Sequence, residues 1–129
     1  MAGPGFFGTS GNEAVVNPII TETLYYDQEH DLGVSSAVTA WDMTKGNKMK
    51  VTMDDSPTIT FLNDPDGPSS LLVRVTHSGG AAHVVSWPAT VKWPGGNAPT
   101  LSAGDGKIDL IGFYFDGTNY YGNVSLNFS

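Results

Sequence analysis

Apolar and polar side chains take turns along most of this chain. Met49, Val51 and Met53 alternate with Lys50 and Thr52, Ile59 and Phe61 with Thr58 and Thr60, and Leu71, Val73 and Val75 with Ser70, Leu72, Arg74 and Thr76. A period of two sends successive side chains to opposite faces of an extended segment, so each run predicts a strand with one buried and one wet face. Turn formers separate the runs: Asp54-Asp55-Ser56-Pro57, Asp64-Pro65-Asp66-Gly67-Pro68 and Ser78-Gly79-Gly80. A further strand is predicted over Ala82 to Ser86 and a short one at Val91-Lys92, before a loop from Pro94 to Pro99. Lys107 to Phe115 and Thr118 to Phe128 flank Asp116-Gly117, a hairpin signal because Gly supplies the positive φ that a tight turn needs. In the last strand Tyr120, Gly122, Val124, Leu126 and Phe128 fall on one face, with Tyr121, Asn123, Ser125 and Asn127 on the other.

The amino-terminal part reads differently. Residues 1–18 are Gly-rich, with Phe6 and Phe7 set among small polar residues and no strand or helix period. An extended arm and an unstructured tail both suit that composition; the paired aromatics favour an arm that docks on another surface. Ile19 to Tyr26 has the Thr and Tyr content of a strand, and the Asp27 to Asp31 cluster with Gly33 predicts a turn after it. Residues 19–129 then form one all-β domain of about eight short strands, expected as an antiparallel β-sandwich of jelly-roll type.

Composition narrows the function classes. A chain of 129 residues suits one domain with one core. Charged residues are only 15% and the net charge is −7, with five lysines and Arg74 scattered along the sequence, so neither nucleic acid nor an anionic membrane is an expected partner. Without cysteine there are no disulfides, thiolate nucleophiles or thiolate metal sites. The start lacks the basic and apolar regions of a secretory leader, and no apolar run approaches the ~20 residues of a membrane-spanning helix. Synthesis in the cytoplasm is the expectation.

Several groups could carry chemistry. His77 ends one predicted strand and His83 begins another, so the two imidazoles could face each other across Gly79-Gly80, as an ordinary pair or as a metal or pH-sensing site. The Asp27, Glu29, His30, Asp31 cluster, through its carboxylates, and separately the Asp64-Pro65-Asp66-Gly67 loop offer oxygen ligands for calcium, but neither is specific, and the second lacks the ligand run and closing glutamate of an EF-hand. Asp105 and Asp109 could serve as paired carboxylates only if they converged in a cleft. No glycine pattern of a phosphate-binding loop occurs. Trp93, Tyr120 and Tyr121 could stack on sugars or fill a subunit contact, since Trp and Tyr are enriched in both settings. No catalytic residue, cofactor or metal site is assigned.

The run Val91-Lys92-Trp93-Pro94-Gly95-Gly96-Asn97-Ala98-Pro99-Thr100-Leu101, with Gly104, Asp109, Phe113 and Asp116-Gly117-Thr118-Asn119-Tyr120-Tyr121-Gly122, resembles a module of tailed-bacteriophage virion proteins. It recurs in tail-fibre, collar or head-fibre and capsid decoration proteins. Thr58-Ile59-Thr60-Phe61 and Val84-Val85-Ser86-Trp87-Pro88 are similar to the same module, so the likeness covers roughly residues 38–129. It implies a compact β-domain, usually trimeric and without catalytic residues. Fibre proteins carry the module behind a long shaft or coiled coil, whereas the short arm up to Pro18 and one or two extra strands are expected before it here. The resemblance therefore implies a homotrimeric decoration or cement protein on the virion exterior, bound to the major capsid protein. A tail-fibre or collar module recognising host glycan is the alternative.

Overall fold

The computed structural model describes residues 23 and 26–129, and within them the chain is all-β, with no α-helix. The arm over residues 1–18, with Phe6 and Phe7, and nearly all of the strand expected from Ile19 to Tyr26 lie outside the described residues. Among those described, no helix is long and apolar enough to cross a membrane.

Among the described residues eight strands form, β1 (His30–Val34), β2 (Ala40–Trp41), β3 (Lys48–Met53), β4 (Thr60–Phe61), β5 (Ser69–His77), β6 (Val91–Lys92), β7 (Ile108–Phe115) and β8 (Tyr120–Phe128). Six make one curled mixed sheet in the order β1-β3-β5-β7-β8-β6, and β2 pairs with β4 in a second. The expected purely antiparallel arrangement is corrected. β1–β3, β3–β5, β2–β4 and β6–β8 are parallel, and only β5–β7 and β7–β8 are antiparallel.

Parallel neighbours need a crossover long enough to return the chain to the same end of the sheet. Here β2 and β4 are those crossovers, so the chain winds between the two sheets from β1 to β5. A third pass continues the small sheet through the parallel bridge of Thr58 with Ser86, held by Ile59 N donating to Ser86 O and Ser86 N donating to Pro57 O. The strand expected over Ala82 to Ser86 reduces to isolated bridges at its two ends.

The alternating residues sit as the period requires. Met49, Val51, Met53, Leu71, Val73, Val75, Ile111, Phe113 and Phe115 are buried, and the crossovers add Trp41, Met43 and Ile59. Burying one such side chain contributes roughly 1.5–3 kcal/mol, so this interior dominates the stability of a chain without disulfides. Aromatic rings line its second half: Trp41 meets Trp87 edge-on at 5.8 Å, Trp87 meets Trp93 at 5.4 Å, and Tyr120 meets Phe115 at 4.5 Å.

Two local expectations also change. The Asp27–Asp31 region turns only at its start and then forms β1. Gly33 does not close a turn; at φ 93 it lies where the β1–β3 register shifts, and its N–H donates to Asp31 Oδ1. At the other end a register shift between Ile108 and Leu110 adds one residue to β8 and pairs Phe128 with Ile108. Directly opposed residues share a face, so Phe128 leaves the face of Tyr120 and joins the outer one.

Candidate functional site

The outer face of the large sheet follows from the register. Lys48, Lys50 and Thr52 of β3 lie opposite Leu72, Arg74 and Thr76 of β5. These lie opposite Gly112, Leu110 and Ile108 of β7, while Ser70 faces Tyr114. The row ends on β8 with Tyr121, Asn123, Ser125 and Phe128. Tyr114 and Tyr121 form a cross-strand pair with 50% and 47% of their surface exposed, and Phe128 is 45% exposed. Tyr121 Oη donates to Asp116 Oδ2, which raises the phenol's pKa and fixes the ring beside the turn.

At the opposite end of this face a groove of about 540 Å³ is lined by Tyr26, Glu29, Lys48, Leu72, Arg74 and Leu110, among others. Arg74 holds Glu29 through both ends of its fork, Nη2 to Oε1 at 2.7 Å and Nε to Oε2 at 3.0 Å. That pairing lowers the carboxyl pKa and raises the guanidinium's. Lys48 Nζ lies 5.4 Å from the centre of the Tyr26 ring, within cation–π range. Lys45, Lys48, Lys50 and Arg74, scattered in sequence, therefore line adjoining grooves, balanced there by Asp27, Glu29 and Asp31.

The three aromatic residues singled out in the sequence do not form one platform. Tyr120 is wholly buried, its ring against Phe61 and Phe115 and its hydroxyl donating to Asp64 Oδ1 at 2.7 Å. Burial, then Asp64, pushes that phenol well above the usual range. Its ring offers no face to a ligand, which corrects its assignment as a stacking residue. Trp93 packs on the inner side of β8 against Gly122, and Tyr121 alone stands on the outer face. The partner that joins Tyr121 is Tyr114, which its place in β7 opposite Tyr121 makes recognisable only once the hairpin register is known.

A second cluster is buried. Asp109, on the inward face of β7, accepts four hydrogen bonds. Oδ1 takes Ser102 Oγ at 2.6 Å and Asn127 N at 2.9 Å, and Oδ2 takes Ser102 N and His77 Nε2, both at 2.8 Å. Burial disfavours the charged carboxylate, and the donors of Ser102, Asn127 and His77 outweigh it, so the pKa lies below the usual carboxylate range. The amide of Asn127 belongs to the β8 bulge, where φ is 63, so the carboxylate ties β5, the segment before β7 and the end of β8 together.

Ser, His and Asp meet here in the wrong order for nucleophilic catalysis. Ser102 Oγ donates to the carboxylate rather than to the imidazole, so the imidazole is not placed to withdraw its proton. Nor do Asp105 and Asp109 form a working pair, because the oxygens of Asp109 are buried and fully engaged while exposed Asp105 accepts from Gly79 N. Of the calcium candidates, Glu29 faces Arg74, Asp31 accepts from Gly33 N within β1 and Asp64 accepts from Tyr120 Oη. Among the described residues no three His, Asp or Glu side chains gather as a metal site. His77 and His83 do meet, but as rings stacked at 5.7 Å and 13° rather than across a hairpin. No protein family, curated protein or solved structure matches the chain.

Proposed function

We propose that this protein is a non-enzymatic structural component of a tailed-bacteriophage virion, a homotrimer on the exterior of the head that bridges major capsid subunits. The observation that carries the contact-making role is the outer face of the large sheet, where the Tyr114–Tyr121 pair and, farther along β8, Phe128 stand half-exposed on the same face as Leu72 and Leu110. Aromatic groups with a polar tip suit a protein interface, because the ring loses water while the hydroxyl keeps a partner. The virion assignment comes from the sequence likeness over residues 38–129, and the two sheets are read as the layers of a sandwich. At about 25 cal/mol per Å² of apolar surface, a contact of standard size contributes several kcal/mol after association costs, repeated at every copy on the shell. Heads prepared with and without the protein test this: the decorated shell should withstand a higher temperature before releasing DNA, and equal release temperatures contradict the proposal.

The Tyr114–Tyr121 pair also favours a second reading, a tail-fibre or collar module that stacks host glycan on the two rings. Binding on a host polysaccharide array that is lost in both Tyr114→Ala and Tyr121→Ala supports it, and silence across the array removes it.

A further inference from the structure

We propose that the stacked His77–His83 pair is a proton-operated latch on the segment that joins β5 to β6, closed when one imidazole at most is charged and open when both are.

The asymmetry of the two rings carries the argument. His77 ends β5 and is buried, and its Nε2 lies 2.8 Å from Asp109 Oδ2. An ionised carboxylate only accepts, so Nε2 holds the proton and Nδ1 keeps a lone pair. Nδ1 is buried without a hydrogen-bond partner, an unused basic site beside a buried anion. A proton needs no cavity, and one proton there turns the contact of a neutral imidazole with the Asp109 carboxylate into an ion pair. His83 lies on the following segment with its Nε2 donating to Ser78 O at 3.1 Å, and its ring covers that of His77. Its second proton would place two cations face to face at a centroid separation of 5.7 Å.

Asp109 balances only one of them. Other charged groups on the elements around the pair are Asp105 and Lys107 before β7 and Asp54 and Asp55 after β3; Asp54 and Asp55 accept from Ser35, and Asp105 from Gly79 N. Gly79 to Ala82 and Val84 are exposed and contribute no charge. The side chain able to leave is therefore His83, because His77 is held in β5 and by Asp109. Between Ser78 N on Met53 O and the Thr58–Ser86 bridge, the other holds on this segment are the Ala82–Ala103 bridge, Gly79 N on Asp105 and Val84 N on Ser56 Oγ.

Amide-exchange protection factors, which divide out the intrinsic effect of pH, test the latch at about pH 7.5 and about pH 5, the range in which imidazoles charge. The expected result is that protection of residues 79–84 falls roughly tenfold or more at the lower pH while the β5 and β7 amides keep theirs. His83→Phe retains a stacked ring that cannot charge, and its protection should not respond to pH. Equal wild-type protection at the two pH values overturns the proposal, as does a full response in His83→Phe. If that variant does not fold, His83→Gln, which also cannot charge, takes its place: protection of residues 79–84 that ignores pH supports the latch, and a full response overturns it.

Discussion

The Cα of Gly122 lies directly against the indole of Trp93: a Cβ built there would be 2.3 Å from Cζ3 and 2.7 Å from Cε3 and Cη2. The ring cannot step aside cheaply, because it is packed against Trp87 and Phe113. Gly122→Ala is therefore expected to cost about 1–3 kcal/mol by overpacking, read as a lower urea midpoint at unchanged m-value. Stability equal to wild type would mean that Trp93 is not seated under β8.

Asp109 makes a different kind of demand. Asp109→Asn replaces one carboxylate oxygen by an amide that cannot accept, leaving buried donors unsatisfied, and at least about 1–3 kcal/mol should be lost in equilibrium unfolding. The pKa of this carboxyl is lowered on folding. Its contribution is thus fully present above the ordinary carboxylate value near about 3.9 and disappears as pH falls through the lower folded value. Unfolding free energies measured from neutral pH to below about pH 4 should show acid destabilisation that is shallower in the asparagine variant.

Adjacent tyrosines should behave oppositely. Tyr120→Ala empties a buried aromatic position and is expected to cost about 3–5 kcal/mol. Tyr121→Ala removes a half-exposed ring and should cost under about 1 kcal/mol. Thermal unfolding of the two variants side by side separates them, and comparable losses would contradict the facing given by the β7–β8 register.

The Arg74–Glu29 pair is two-pronged but more than a third exposed on each side. Solvent screening limits it, and a double-mutant cycle should give a coupling of about 0.2–1 kcal/mol that shrinks as salt is added.

Much of the strand pattern was legible in the sequence because a period of two survives wherever one face is dry. Met49 to Met53, Leu71 to Val75 and the Asp116-Gly117 hairpin sit where alternation and turn chemistry place them. Strand direction was not legible, because the same alternation serves parallel and antiparallel neighbours, and the crossovers β2 and β4 are two-residue strands too short to show a period. The bulge that turns Phe128 outward left no pattern either, since it depends on Asn127 taking a positive φ with its amide on Asp109. Candidate chemistry suffered similarly. His77 and His83 could be paired from their spacing, but Asp109 and Ser102 join them only through the antiparallel pairing of β5 with β7.

The most direct test of the assembly role is electron cryomicroscopy of the virion with this chain tagged. The account predicts tagged density on the outside of the head, three copies to each feature, seated across neighbouring capsid subunits. Tagged density confined to the neck or tail, or a virion that lacks the protein, would contradict it.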